Sequence, residues 1–277
     1  KMSTYQIYLS TLPSDVIRKV VNFAGMAPFE EMRLISPRWN ERALAHIEVR
    51  ANLPVINVCH WWPHNTPGNK RPNDWNMEIT IAKDYVNYFG LDGWNLSNKS
   101  SESEDKVLLH RRLTNVQEPW TRKRIVRLFS RCSKIEKFTL DFSRIEDVTS
   151  LSEVTGGTMI ENLEIVKVKE LLSNLEGTIF NFIDQHSVQT FALNDHCSEK
   201  ECSARFIDLA LSHVAKLELI IVCHTDNAYM TAFHRRYWDS VIENIKSSLA
   251  KIDVQIEDCV QQNGFTNLRI IIKRTNA

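Results

Sequence analysis

The sequence predicts an α/β fold in which a small helical module is followed by a larger body of alternating strands and helices. Apolar residues recur at helical spacing up to about residue 47 and alternate with polar residues in short runs beyond residue 50. These later runs repeat at nearly constant intervals. A chain of 277 residues is long enough for two such units, which we place at residues 1–50 and 51–277.

The N-terminal module is predicted to contain three helices. Pro13 suits the first position of the first helix, Asp15 adds a carboxylate to its positively polarised first turn, and Gly25 ends it. A second, short helix follows. Ser36 is a good N-cap and Pro37 a good first residue for the third helix. Three helices of this length offer little apolar core, so we expect a partner to share it.

This module resembles an F-box of the nematode type. The residues that carry the resemblance are Leu12-Pro13, Asp15-Val16, Arg33-Leu34-Ile35-Ser36 and Arg38-Trp39-Asn40. The intervening Pro37 departs from the pattern, because many members have a basic or other non-proline residue there. The alternative is an ordinary helical subdomain that caps a larger fold, since short motifs also occur by chance.

The resemblance implies a role in a Skp-cullin-F-box ubiquitin ligase. In that family the F-box docks on the Skp-type adaptor, and the rest of the chain selects the protein that is ubiquitinated. The adaptor-binding residues implied here are Leu12, Pro13, Val16, Ile17, Val20, Leu34, Ile35 and Trp39.

The body shows a repeating order of strands and helices. The first core positions of four successive strands are 25, 28 and 26 residues apart, which is the length of a leucine-rich repeat. We therefore predict an irregular, leucine-rich-repeat-like β/α stack of parallel strands. A compact mixed α/β domain with similarly spaced strands is the alternative. The predicted strands are Ile135 to Phe142, Leu163 to Val168, Val188 to Asn194, Leu217 to Val222, Ile252 to Glu257 and Leu268 to Lys273.

The part of the body before these repeats is less regular. Strands are expected at Leu53 to Cys59 and Met77 to Ala82, with a loop between them that is rich in proline and asparagine. The polar stretch Asp92 to Lys106 is expected to be mobile. A basic amphipathic helix is predicted from Pro119 to about Arg131. The loop is anchored by Trp61, Trp62 and Trp75.

Composition excludes several functional classes. The chain has 34 basic and 34 acidic residues, so nothing favours a general nucleic-acid binder. Six cysteines without a signal peptide indicate reduced thiols and a cytoplasmic or nuclear protein. No apolar stretch reaches membrane-spanning length. The charged face of the basic helix is interpreted as solvated surface.

We find no catalytic motif in the sequence. It lacks a phosphate-binding glycine-rich loop, a His-Glu-x-x-His motif and a nucleophile elbow. His196 and Cys197 could approach Cys202 and Cys223 at one rim of the sheet, but their spacing matches no zinc motif. We therefore predict no enzyme activity, no cofactor and no metal.

The leading hypothesis is a substrate-recognition subunit that binds one target protein through the repeats. Its alternatives are a non-ligase interaction scaffold, whose F-box-like helices only cap the repeat domain, and an enzyme or nucleic-acid binder. Side chains alternate between the two faces of a strand, so residues beside the core positions should face a partner. The predicted target-binding residues, which suit a basic and partly apolar patch, are Asp141, Glu164, Val166, Glu218, Ile220, Asp253 and Ile271.

Overall fold

The computed structural model gives the fold of most of the chain. It describes residues 8–23, 29–63, 74–91, 94–96, 105–114, 118–141, 151–152, 155–156, 158–166, 172–195, 204–224, 236, 239–240, 242–244, 246–247, 249, 251–260 and 265–275. The sequence also predicts a helix from Ala232 to Leu249, and half of its residues lie outside the described ones. Within them no helix is both long and apolar enough to cross a membrane.

Seven α-helices and two short 3-10 helices, at Leu9–Thr11 and Lys83–Tyr85, are found within the described ranges. The α-helices are α1 Ser14–Phe23, α2 Phe29–Ile35, α3 Pro37–Ala51, α4 Val86–Phe89, α5 Pro119–Ser130, α6 Leu172–His186 and α7 Ala204–His213.

Ten strands are found in the same ranges, and they form a single sheet. They are β1 Ile56–Pro63, β2 Trp75–Ala82, β3 Asn95–Leu96, β4 Lys106–Leu113, β5 Lys134–Asp141, β6 Met159–Val166, β7 Thr190–Asp195, β8 Lys216–His224, β9 Ile252–Val260 and β10 Phe265–Arg274.

The sheet is mixed, with the strand order β3-β4-β2-β1-β5-β6-β7-β8-β10-β9. Strands β1 and β5 to β8 pair in parallel at its centre. Strands β2, β3 and β4 flank them on one side and β9 and β10 on the other, all in antiparallel pairs. The prediction of an F-box followed by a leucine-rich-repeat-like stack was wrong. Five of the ten strands pair antiparallel at the two sides of the sheet, whereas a repeat stack has parallel strands throughout.

Helices α5, α6 and α7 contribute to the core on one face of the sheet. Alternate residues of the central strands, such as Phe138, Leu163 and Phe191, are buried there because successive side chains point to opposite faces. Phe138 of β5 lies 6.4 Å from Phe182 of α6, measured between ring centroids. We call the opposite face of the central strands, on which Lys137 and Glu164 lie, the open face.

The region around the three tryptophans differs from its prediction. Trp61 and Trp62 lie in β1 and Trp75 in β2, rather than in a loop. Trp61 and Trp75 are buried, with ring centroids 5.7 Å apart. Strand β4 was not predicted. It begins at Lys106, where the sequence indicated the end of a mobile stretch, and pairs with β2 over its whole length.

Helices α1 to α3 have a small core of their own. Ile17, Val21 and Trp39 are almost fully buried against each other and form a cluster separate from that of the sheet. The Ser36 hydroxyl caps α3 by accepting from the Trp39 backbone N–H at 3.5 Å. The Trp39 indole donates to the Leu9 carbonyl at 2.8 Å. The expected sharing of this core with a partner is therefore wrong for these buried residues.

Arg50 connects this helical module to the sheet. Its guanidinium is buried and donates to the Cys132 carbonyl at 3.3 Å and to the Thr158 hydroxyl at 3.4 Å. Burial lowers the pKa of Arg50 from its ordinary value. Cys132 and Thr158 immediately precede β5 and β6, so the end of α3 is anchored where the parallel strands begin.

His186, the last residue of α6, is fully buried beside the same edge. Its Nδ1 lies 2.6 Å from the Thr158 carbonyl and its Nε2 lies 3.0 Å from the Thr155 hydroxyl. A neutral imidazole that donates from Nδ1 and accepts at Nε2 satisfies both contacts when the Thr155 hydroxyl donates to the ring rather than to the Leu151 carbonyl, which also lies 3.0 Å from it. Burial lowers the pKa of His186 to about 4.

We predict that Arg50→Ala destabilises the protein by about 1–3 kcal/mol, because the Cys132 carbonyl and the Thr158 hydroxyl lose a buried partner. Urea unfolding followed by circular dichroism measures this loss. The matched control is Arg42→Ala on an exposed position of the same helix, which should change stability by less than about 0.5 kcal/mol. Equal effects of the two substitutions would contradict the anchoring role of Arg50.

We also predict an acid-sensitive stability that originates at His186. The folded protein holds this imidazole neutral down to about pH 4, whereas the unfolded chain protonates it below 6.5. Stability should therefore fall as the pH is lowered through this window, by about 1.4 kcal/mol per unit and about 3 kcal/mol in total. His186→Asn keeps a donor near Thr158 without a titrating ring. If urea unfolding of this variant shows the same pH dependence as the wild type, another group is responsible.

Candidate functional site

The open face of the sheet carries most of the charge of the central strands. The side chains that neighbour the core positions form rows across the strands, set by the parallel register. One row contains Lys137, Asn162, Thr190 and Lys216. The next row contains Thr139, Glu164, Ala192 and Glu218.

Glu164 is buried although it lies on the open face, because neighbouring side chains cover it. Its carboxylate accepts from Lys137 Nζ at 2.6 Å, Asn194 Nδ2 at 2.9 Å and Thr139 Oγ1 at 3.4 Å. Burial alone raises the pKa of this carboxyl, but the combined hydrogen bonds and the charge of Lys137 hold it below its ordinary value. Glu164 is therefore ionised at neutral pH.

Glu218 repeats this arrangement two strands away. Its carboxylate accepts from Lys216 Nζ at 2.6 Å and from Arg269 Nη2 at 2.7 Å and Nε at 3.1 Å. Arg269 extends the network to Glu257, 3.3 Å from its Nη1. Burial by itself raises the pKa of the Glu218 carboxyl. The hydrogen bonds from Lys216 and Arg269 lower it by more, so the pKa lies below its ordinary value.

A groove of about 380 Å³ lies between these two ion-paired clusters. Lys137 stands at one end, and Lys216 with Arg269 stands at the other. Asn162, Thr190 and Ala192 form a neutral stretch between them. We call this feature the sheet groove. Because each glutamate already accepts three hydrogen bonds, the groove presents more unused lysine N–H donors than carboxylate acceptors.

The structure brings only part of the predicted target-binding set together. Glu164, Glu218 and Ile220 line the sheet groove. Ile271 lies opposite Glu218 and is buried. Asp141 and Val166 are paired in register on β5 and β6, whereas Asp253 is exposed on the edge strand β9. The expected acidic surface is thus neutralised at its centre by Lys137, Lys216 and Arg269.

The predicted adaptor-binding residues do not form one exposed face. Ile17 and Trp39 are fully buried, and Leu12 and Ile35 pack against that cluster. Val16 is half-buried and Pro13 is exposed. Val20 is 39% exposed and Leu34 is 87% exposed. Helix packing within the module therefore uses residues that were expected to contact a partner.

A second aromatic cluster lies on the open face and was missed in the sequence. The Trp62 ring lies 4.4 Å from that of His60 and 5.8 Å from that of His110, measured between centroids. His60 and His110 both face Glu78 in the strand register. His60 and Trp62 are neighbours on one face of β1, but only the pairing of β1, β2 and β4 brings His110 to them.

The proposed cysteine and histidine rim cannot be followed in full. His196, Cys197 and Cys202 lie outside the described residues, and so does the side chain of Cys223. In the ranges that the structure does describe, no group of three or more histidine, cysteine, aspartate or glutamate residues is arranged to hold a metal ion. The described Cys59 and Cys132 are buried free thiols, and burial raises the pKa of both.

Comparison with known proteins gave no match to a family model and none to a curated protein. Several solved structures show a distant likeness, and three of them are named here. The O-methyltransferase TomG from Streptomyces achromogenes is 10% identical, with a TM-score of 0.27 over 55% of this chain and 68% of its own. An O-methyltransferase from Bacillus cereus is 9% identical, with a TM-score of 0.26 over 55% and 69%. The fibrillarin pre-rRNA processing protein from Methanococcus jannaschii is 8% identical, with a TM-score of 0.29 over 74% and 95%.

These findings correct the identification as an F-box protein. No F-box model matches, and the structures named above are methyltransferases and a pre-rRNA processing protein. The predicted Skp-type adaptor, cullin ligase, target ubiquitination and interaction scaffold were wrong. The prediction that the chain is not an enzyme was drawn together with that identification and is withdrawn with it. At 8–10% identity and TM-scores of 0.26–0.29, the likeness carries no argument about a reaction, substrate or cofactor.

We predict that Glu218→Gln destabilises the protein by about 1–2 kcal/mol at neutral pH, because Lys216 and Arg269 lose their shared charge partner. The wild type should lose the same stability as the pH falls below 4.5 and through the lowered pKa of Glu218. Thermal and urea unfolding at neutral and acid pH measure both effects. Glu243→Gln, at a 75% exposed side chain, is the matched control and should have little effect.

Proposed function

We propose that this chain binds an elongated ligand that has an anionic group at each end, and that the sheet groove is its site. The observation that carries the proposal is the placement of Lys137 at one end of the groove and of Lys216 with Arg269 at the other, with a neutral stretch between them. Carboxylate and phosphate groups both fit this description. The volume of about 380 Å³ falls within the usual range of small-molecule sites.

The cations are held in position before any ligand arrives. Lys137 is fixed by Glu164, and Lys216 and Arg269 are fixed by Glu218. A lysine ammonium has three donors, so Lys137 and Lys216 each retain N–H groups beyond those used in these ion pairs. Preorganised side chains reduce the entropy that binding must overcome.

The strand geometry sets the length of the ligand. Lys137 is on β5 and Lys216 on β8, three strand positions apart in the sheet. At about 4.8 Å per position their backbones are about 14 Å apart. The side chains can lean toward each other, so the two anionic groups should be separated by less than this distance. A ligand with one anionic group can engage only one end.

We predict that linear dicarboxylates bind more tightly as they lengthen from succinate through adipate to sebacate, because the longer chains reach both cationic ends. Isothermal titration calorimetry at low ionic strength measures the series, since these half-exposed charges are screened by salt. Hexanoate tests the effect of a single anionic end. Binding that is independent of chain length would contradict the two-ended site.

Lys137→Met should weaken sebacate binding by about threefold or more and leave hexanoate binding nearly unchanged, because Lys216 and Arg269 still hold a single carboxylate. The matched control is Lys246→Met, which removes an exposed lysine far along the chain from the groove. Equal losses for sebacate in both variants would show a general charge effect and overturn the assignment of Lys137.

A further inference from the structure

A second concave site lies on the helix-covered face, between β4, α4 and α5. The apolar part of its lining includes Phe89, Leu91, Trp94 and Leu128. Its cavity is about 80 Å³. We call it the tryptophan pocket. It is separate from the sheet groove, which lies on the opposite face.

Three arginines and an exposed tryptophan border this pocket, and one of the arginines, Arg112, is ion-paired with Asp74 at 2.9 Å. Arg111 comes from β4, and Trp120 and Arg124 come from successive turns of α5. The Arg124 guanidinium lies over the Trp120 ring, 4.7 Å from its centroid. Trp120 is 63% exposed, which is unusual for so large an apolar side chain.

The arginines lie close enough to influence each other. Burial lowers the pKa of the Arg111 guanidinium, and the neighbouring charge of Arg124 lowers it further. Two like charges beside an apolar cavity repel, and a bound anion would relieve that repulsion.

We propose that the tryptophan pocket binds an anionic group carried on an aromatic ring, with Arg111 and Arg124 holding the anion and Trp120 stacking on the ring. A guanidinium presents N–H donors in a fork that matches the oxygens of carboxylate and phosphate. Aromatic rings stack on tryptophan in offset or edge-to-face geometry.

The size of the pocket decides which part of the ligand enters it. Each water molecule occupies about 30 Å³ in the liquid, and a cavity of about 150 Å³ accommodates benzene. A cavity of about 80 Å³ therefore holds a few waters or one small anionic group, but not a ring. The aromatic ring must remain at the mouth, where Trp120 is exposed.

Phenyl phosphate is the test ligand, with inorganic phosphate and cyclohexyl phosphate as comparisons. We expect phenyl phosphate to bind more tightly than either, measured by isothermal titration calorimetry with the full chain. Arg124→Gln should raise its dissociation constant about tenfold or more. Trp120→Ala should raise it about threefold or more but leave inorganic phosphate unaffected. Benzoate determines whether a carboxylate replaces the phosphate.

The matched control is Arg127→Gln, one turn further along α5 and outside the pocket lining. Circular dichroism establishes that each variant is folded. Trp120→Tyr retains an aromatic ring, so it should bind phenyl phosphate more tightly than Trp120→Ala does. Equal effects of Arg124→Gln and Arg127→Gln would overturn the proposal by indicating nonspecific charge. Equal affinity for phenyl and cyclohexyl phosphate would overturn the stacking role of Trp120, and no binding by the wild type would overturn the site itself.

Discussion

The alternation of side chains along the strands is the constraint on which the rest of this structure depends. Once Phe138, Leu163 and Phe191 are buried under the helices, their neighbours must lie on the open face. Charged side chains on that face lie beside one another, because the parallel register aligns them in rows across the strands. Glu164 and Glu218 are stable there only because lysine, arginine and asparagine side chains satisfy their carboxylates.

Thr158 shows how the helices are tied to this sheet. Its hydroxyl donates to the Phe129 carbonyl at 3.0 Å and accepts from Arg50, while its own carbonyl contacts His186. One residue at the start of β6 therefore connects the ends of α3, α5 and α6. Buried polar groups contribute stability only when all of them are paired, so this junction is sensitive to the loss of any one partner.

The resemblance to an F-box rested on residues that also have a purely local purpose. Ser36 caps α3, Pro37 begins it, and Trp39 fills the small core of the module. Any three-helix unit with this connection requires similar side chains at the same spacing. The motif therefore described how the helices pack, and it could not distinguish a partner-binding module from a self-contained one.

The sequence by itself determined most of the individual elements. Apolar alternation located six of the ten described strands closely, β1 in its first half and β6 in its second half, and proline and serine located the starts of α3 and α5. These signals act over a few residues, so they can be read from local order. The two short or polar strands β3 and β4 lack them and were missed.

Only the tertiary structure decided how the elements combine and where the sites lie. Equal strand spacing fixes the length of a connection but not the direction of pairing, so it could not reveal the antiparallel flanks of the sheet. The sheet groove joins residues from β5, β8 and β10, and the tryptophan pocket joins β4 with α4 and α5. Such contacts arise between residues far apart in the chain, because packing and register place them together after the local structure has formed.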